Sequence, residues 1–196
     1  MKILVVRFSS IGDVVLTTPV VRCLAQQLPD ATIHFVTKKA FLPVLEGNPH
    51  ISRVFTIEKS VKECIAELKA EKFDLVIDLH RNVRTLRLKK ALGVPAKAFP
   101  KLNVQKFFLT TFKVNRMPDV HVVDRYFETV RHLGVKSDGL PCELFLSAVD
   151  SVNLSEENLK SSHFLAVAMG AQFGRARNRL CRRPTGFWRR LAGRAF

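Results

Sequence analysis

Short apolar runs alternate with amphipathic stretches along the first 134 residues of the chain. The apolar runs are rich in β-branched residues and occupy 3–8, 32–37, 54–57, 73–79 and 96–99. Such runs are typical of strands that are buried in a parallel sheet. Apolar residues recur at helical spacing between them, over 14–28, 41–45, 61–70, 83–92 and 120–133. The pattern therefore predicts strands and helices in alternation.

This alternation predicts an α/β fold, a Rossmann-like parallel sheet with helices on both faces. Two glycines, Gly93 and Gly134, follow the last two helical patterns, where glycine commonly ends a helix. Pro19 lies inside the first helical pattern, so that helix must have an irregular or kinked first turn.

The alternating pattern stops after Gly134. Residues 135–150 contain Pro141 and resemble a linker, and 164–169 form another strand-like run. We therefore expect a first domain over 1–150 and the start of a second domain over 151–170.

Charge divides the chain at a different point. The 196 residues contain 32 Lys and Arg against 17 Asp and Glu, a net charge of +15. Residues 171–196 contain eight Arg but no Asp, Glu or Lys, so +8 of the charge belongs to them. Because a folded domain has no reason for this switch, we interpret 171–196 as a disordered, frameshifted tail.

Several protein classes are excluded by composition. The apolar runs fall short of the ~20 residues that span a bilayer, and no signal-like segment precedes the first strand, so we expect a cytoplasmic protein. The four cysteines and six histidines show no metal-binding spacing. We expect no metal site, and buried thiols at Cys23 and Cys64.

The loop after the first strand is the first candidate site. Ligands bind at the carboxyl ends of parallel strands, and Gly12 would let a ligand approach the backbone there. Asp13 adds a carboxylate at the start of the next helix, whose amides are unpaired. Ser10 and Asp13 are equally well explained as helix caps, and the residues alone leave both interpretations open. The absence of GxGxxG disfavours a dinucleotide cofactor.

The turn after the 73–79 strand is the second candidate. It reads DLHRN over 78–82 and contains His80, Arg81 and Asn82. Arg84 follows on the next helix, three residues before Arg87 and on the same face. Arginine clusters suit phosphate or carboxylate ligands, although a solvated basic helix would look the same.

These segments resemble a known family. The opening KILVVRFSSIGDVVLTTPVVRCLAQQLPDATIHFVT, with its R-x-S-S-x-G-D pattern, is similar to the start of the glycosyltransferase family 9 heptosyltransferases. FDLVIDLHRNVRT and HVVDRYFETVRHLGV match later segments of that family. The likeness covers about residues 1–170 and is specific in the first 20.

The resemblance implies the N-terminal domain of a GT-B glycosyltransferase. Such an enzyme transfers heptose from ADP-heptose to a Kdo-lipid A acceptor in the inner core of lipopolysaccharide, without metal or cofactor. The N-terminal domain would bind the anionic acceptor at the inner membrane surface, to which the protein would attach peripherally. The C-terminal domain would bind the nucleotide-sugar donor.

The resemblance also assigns roles to residues. Asp13 would be the general base that deprotonates an acceptor hydroxyl. Ser9, Ser10 and Gly12 would shape its loop. The other expected substrate-binding residues are His80, Arg81, Asn82 and Arg84.

The family's donor-binding pattern has no counterpart after FLAVAMGAQF. We therefore expect a truncated enzyme that is inactive alone. Two alternatives stay open: a non-catalytic α/β module that binds acidic sugars or lipids, and, ranked lower, a nucleic-acid binder that uses the Arg-rich tail.

Overall fold

Five parallel strands form a sheet in the computed structural model, which describes residues 1–100, 111–113, 118 and 120–145. The strands lie in the order β3-β2-β1-β4-β5. Their bounds are β1 Lys2–Val6, β2 Thr32–Lys38, β3 Arg53–Ile57, β4 Leu75–Asp78 and β5 Ala96–Ala98. All four strand pairs are parallel. The predicted Rossmann-like sheet is therefore confirmed.

The helices differ from the predicted ones mainly at their ends. They are α1 Ile11–Val15, α2 Thr18–Gln27, α3 Lys62–Ala70, α4 Val83–Leu92 and α5 Val122–Phe127, with 3-10 helices at Lys39–Val44 and Arg131–Leu133. The helix predicted over 14–28 is divided, and Pro19 lies in the first turn of α2, where its missing N–H costs nothing. The helix predicted over 120–133 is shorter, but the chain still turns at Gly134, whose φ is 78°.

Apolar side chains of the sheet form a layer on each face. Ile3 and Val5 of β1 pack with α2 and α5, whereas Leu4 and Val6 pack with α3 and α4. The helices thus cover both faces, as predicted. Cys23 and Cys64 are buried within α2 and α3, as expected of small apolar side chains.

The segment predicted as a linker is anchored to the domain by Arg22. Residues 135–145 have no helix or strand, yet the Arg22 side chain beneath them is only 2% exposed. Its Nε and Nη2 donate to both oxygens of Asp138 at 2.7 and 2.9 Å. Its Nη1 lies 3.0 Å from Glu143 Oε1 and donates to the Pro141 carbonyl at 3.0 Å. These hydrogen bonds hold the pKa of Asp138 well below its usual value, although partial burial opposes the shift.

Several predictions fall beyond the described residues. The domain boundaries at 150 and 170, the strand over 164–169 and the tail over 171–196 all lie there. Within the described ranges, no helix combines the length and hydropathy needed to cross a bilayer.

Replacing Arg22 by leucine should destabilise the domain by about 3 kcal/mol, because carboxylates and carbonyls around a buried guanidinium would lose their partner. Urea denaturation followed by circular dichroism measures this change. The matched control is Arg53→Leu, since Arg53 also pairs with two carboxylates, Glu67 and Glu71, but is 51% exposed. We expect the control to cost less than about 1 kcal/mol. Equal losses would contradict the anchoring role of Arg22.

Candidate functional site

Arg7 connects the two loops that were predicted as candidate sites, the loop after β1 and the loop after β4. It follows β1 directly and is only 8% exposed. Its Nη1 donates to the Leu79 carbonyl after β4 at 2.5 Å, and its Nε donates to the Ser9 carbonyl at 2.8 Å. The carboxyl ends of β1 and β4 are therefore tied together by one guanidinium.

The same guanidinium holds Asp13, at the third position of α1. Arg7 Nη2 lies 2.5 Å from Asp13 Oδ2, which also accepts from the Ser10 amide at 3.1 Å and the Ser10 hydroxyl at 3.0 Å. No residue in the described ranges donates to the other oxygen, Oδ1, and the side chain is 37% exposed. One carboxylate oxygen thus has three partners, and the other has none among the described residues.

These contacts decide the charge of Asp13. Partial burial would raise its pKa, but the Ser10 amide hydrogen bond, the positive charge of Arg7 and the remaining hydrogen bonds together outweigh burial. The pKa of Asp13 is therefore lowered, and the side chain is a carboxylate at neutral pH.

Capping accounts for only some of these contacts. Ser10 is the extended N-cap residue of α1, and its amide donates to Asp13. The interpretation of Ser10 and Asp13 as helix caps is therefore confirmed for this hydrogen bond. A cap does not need the buried Arg7. Packing among the described residues does not require Gly12 either, because a Cβ there would meet none of their atoms within 4 Å and its φ is not positive. The loop therefore has features that capping leaves unexplained.

Asp78 shapes the second loop from within the core. It ends β4 and is fully buried. Its Oδ1 accepts from the amides of His80 and Arg81 at 3.1 and 2.7 Å, and its Oδ2 lies 2.8 Å from Lys89 Nζ of α4. This ion pair fixes the turn and the helix after it to the end of β4.

The nominated residues of this loop have different surroundings. The half-buried His80 ring lies edge-on to Phe8, 5.4 Å between ring centres. The exposed Arg81 donates to the Phe99 carbonyl at 3.2 Å. Asn82 caps α4 through hydrogen bonds with Thr85, which is a structural role that the sequence analysis did not give it.

The structure brings some of the nominated residues together and leaves one apart. Arg7 and the Phe8–His80 contact place the loop of Ser9, Ser10, Gly12 and Asp13 beside the loop of His80 and Arg81. Arg84 lies on the exposed surface of α4, and no described contact links it to the loop after β1.

Three charged residues, Arg7, Asp78 and Lys89, lie in or beside the predicted segments but had no role assigned to them from the sequence. The available signal was that Arg7 and Asp78 directly adjoin buried strands, where a charge needs a partner. Tyr126 of α5 was also missed, and its buried ring lies 5.9 Å from the Arg7 guanidinium.

In the described part of the chain, no three His, Cys, Asp or Glu side chains are grouped so that they could hold a metal ion. The expectation that the reaction needs neither metal nor cofactor remains a prediction.

Comparison with known proteins gives the site a context, although no family model matches the sequence. Lipopolysaccharide heptosyltransferase 3 of Escherichia coli (strain K12) is 37% identical over 78 residues, which cover 35% of this chain and 23% of that protein. Lipopolysaccharide heptosyltransferase 1 of Campylobacter coli is 24% identical over 143 residues, 70% of this chain and 41% of that protein. The chain therefore spans less than half the length of these curated relatives.

The solved structures that are similar to this chain include glycosyltransferases as well. A glycosyl transferase family 9 structure from Veillonella parvula DSM 2008 is 27% identical with a TM-score of 0.58, covering 74% of this chain and 44% of that one. E. coli heptosyltransferase WaaC with ADP matches with a TM-score of 0.57 at 23% identity, over 73% of this chain and 50% of that one, which shows the fold alone. The resemblance to the family 9 heptosyltransferases, and to the N-terminal domain of their GT-B fold, is confirmed.

Replacing Arg7 by glutamine should raise the pKa of Asp13, because the carboxylate loses its cationic partner while burial still opposes its charge. The carboxyl carbon shift of Asp13, followed by NMR against pH, measures the change. Arg87→Gln is the control, since it also removes one positive charge but lies on the exposed surface of α4. An unchanged Asp13 titration in Arg7→Gln would show that the ion pair is not formed in solution.

Proposed function

We propose that this chain acts in the transfer of heptose from ADP-heptose to a Kdo-lipid A acceptor of the lipopolysaccharide inner core. The observation that carries the proposal is the carboxylate of Asp13, held at the carboxyl end of β1 with one oxygen that no described residue contacts as a donor. Its R-x-S-S-x-G-D segment resembles that of heptosyltransferases. The similarity to curated lipopolysaccharide heptosyltransferases supports the choice of reaction.

The proposed base atom is Asp13 Oδ1. Oδ2 already accepts from Ser10 and Arg7, so an acceptor hydroxyl would donate its hydrogen bond to Oδ1. The acceptor oxygen then forms a bond to the anomeric carbon as the bond to the diphosphate breaks. The proton moves to Oδ1, and ADP leaves.

The lowered pKa of Asp13 places proton transfer late in this sequence. A carboxylate that is paired with Arg7 is too weak a base to deprotonate a free alcohol. The hydroxyl becomes acidic only when its oxygen has largely bonded to the anomeric carbon. Asp13 would therefore orient the hydroxyl first and accept the proton last.

The acceptor would lie across both loops. Ser9, Ser10 and Gly12 would line its reactive end, and the polar groups after β4 would bind its anionic groups. We assign this second role to His80, Arg81, Asn82 and Arg84. The net charge of +7 over residues 1–170 favours an anionic partner.

The nucleotide-sugar donor is proposed by analogy. Solved heptosyltransferase structures hold ADP and ADP-2-deoxy-2-fluoro heptose. We propose that ADP-heptose is used here without metal or cofactor, since cationic groups and helix N-termini are able to hold a leaving diphosphate. The proposed location is the cytoplasm, with peripheral attachment to the inner membrane.

Asp13→Asn should lower heptose transfer by about 10²–10⁴-fold, because the amide cannot accept the proton, while acceptor binding persists. Because we expect the chain to be inactive alone, mass spectrometry of the acceptor measures transfer after incubation with ADP-heptose beside an intact donor-binding domain, and calorimetry measures binding. Asp30→Asn is the control, since Asp30 is exposed at the opposite end of the sheet.

Full activity in Asp13→Asn would exclude Asp13 as the base. If the unaltered chain binds the acceptor but forms no product even beside an intact donor-binding domain, the non-catalytic binding module becomes the better interpretation.

Gly12→Ala should weaken acceptor binding while leaving stability unchanged or raising it by up to about 1 kcal/mol. The added methyl group would meet no atom of the described residues within 4 Å, but it would enter the space proposed for the acceptor. Gly47→Ala is the contrasting variant, because its methyl group would lie 3.1 Å from the Phe145 carbonyl oxygen. We expect that variant to lose stability and to keep its acceptor affinity. Calorimetry and thermal denaturation separate the two effects.

A further inference from the structure

The outward face of α4 is apolar where a solvated helix is normally polar. Val83 and Leu86 are 63% and 62% exposed, whereas Thr85 and Leu88 are fully buried against the sheet. At about 100° per residue, Val83, Leu86, Arg87 and Lys90 lie together on the side opposite the buried residues. We call these four residues the α4 face.

The charges around this face have one sign. Arg84, Arg87 and Lys90 are exposed, and α4 contains no acidic residue. Among the described residues, no carboxylate forms an ion pair with any of these three side chains, whereas Lys89 forms an ion pair with the buried Asp78. The helix therefore presents two exposed apolar side chains within a cluster of positive charges that no described carboxylate pairs with.

The neighbouring helix shows that packing does not demand this composition. α3 packs against the same sheet face as α4, yet its exposed surface mixes Lys62 and Lys69 with Glu63 and Glu67. A helix in an equivalent position is thus covered by balanced charges. The difference in α4 calls for a partner that is both apolar and anionic.

We propose that the α4 face docks on the surface of an anionic lipid bilayer. Val83 and Leu86 insert between headgroups, and Arg87 and Lys90 lie against lipid phosphates. Charge complementarity favours this occupant over a second copy of the chain, because two α4 faces would bring like charges together. The inference rests on the proposed function, which already includes a lipid-linked acceptor and peripheral attachment to the inner membrane, and it adds the surface that contacts the bilayer.

Sedimentation with phosphatidylcholine vesicles, with and without phosphatidylglycerol, tests the docking of the full chain. The double variant Arg87→Gln and Lys90→Gln should lower the partition coefficient on anionic vesicles about 10-fold or more. The double variant Val83→Gln and Leu86→Gln should lower it about 10-fold, since it removes the apolar contacts and keeps a good helix former. Neither pair includes a proposed substrate-binding residue.

Matched controls isolate the α4 face. Lys62→Gln with Lys69→Gln removes two charges from α3, and Leu140→Gln with Leu144→Gln removes two exposed apolar side chains elsewhere. Both controls should change partitioning less than about twofold. The controls are needed because the eight arginines of 171–196 also attract anionic vesicles, so the differences between matched variants are the readout.

Equal losses in the α3 control, or unchanged partitioning in the Val83 and Leu86 variant, would overturn the proposal. Self-association that the α4 variants abolish, without preference for anionic vesicles, would assign the face to a second copy and also overturn it. Because the assay contains neither donor nor acceptor, its result is independent of heptose transfer.

Discussion

The strongest constraint on this structure is the burial of the Arg7 guanidinium, whose N–H groups need hydrogen-bond acceptors. The sequence places Arg7 directly after five strand residues, so its charge enters the end of the sheet, where an unpaired cation would be costly. The Leu79 and Ser9 carbonyls and the Asp13 carboxylate satisfy it. Burying Arg7 therefore also orients Asp13, and the Ser10 amide and hydroxyl add their hydrogen bonds to the same carboxylate oxygen.

Two other buried charged residues, Asp78 and Arg22, also have partners in neighbouring loops. Asp78 closes the turn after β4 and holds Lys89, and Arg22 binds Asp138 and Glu143 across α2. Each is satisfied by atoms from a loop, so loops that hydrophobic burial alone would leave free are fixed to the sheet and its helices. Apolar layers specify the sheet, and buried charges specify the irregular segments that surround it.

Hydrophobic periodicity was sufficient to predict the five strands of the described sheet, because buried β-branched runs carry a local signal. Helix ends were predicted less well. The pattern over 120–133 predicted one helix, whereas α5 ends at Phe127 and turns and a short 3-10 helix follow it. Pro19 indicated an irregularity but did not show that the helix is divided. Site loops were predictable from their position after strands. Their partners were not, since Arg7 and Leu79 are 72 residues apart and Arg22 and Asp138 are 116 apart. Only the folded topology brings such pairs together.

The proposed chemistry and the proposed membrane contact meet in α4. This helix begins in the loop that lies beside Asp13, and its ten residues extend about 15 Å. Because Lys89 fixes the helix to the buried Asp78, its outward face cannot shift independently of the loop. A lipid-linked acceptor has its reactive hydroxyl and its acyl chains at opposite ends of one molecule. A rigid element that presents a reactive loop at one end and a lipid-binding face along its length would hold both ends at a set distance, so that docking itself orients the hydroxyl.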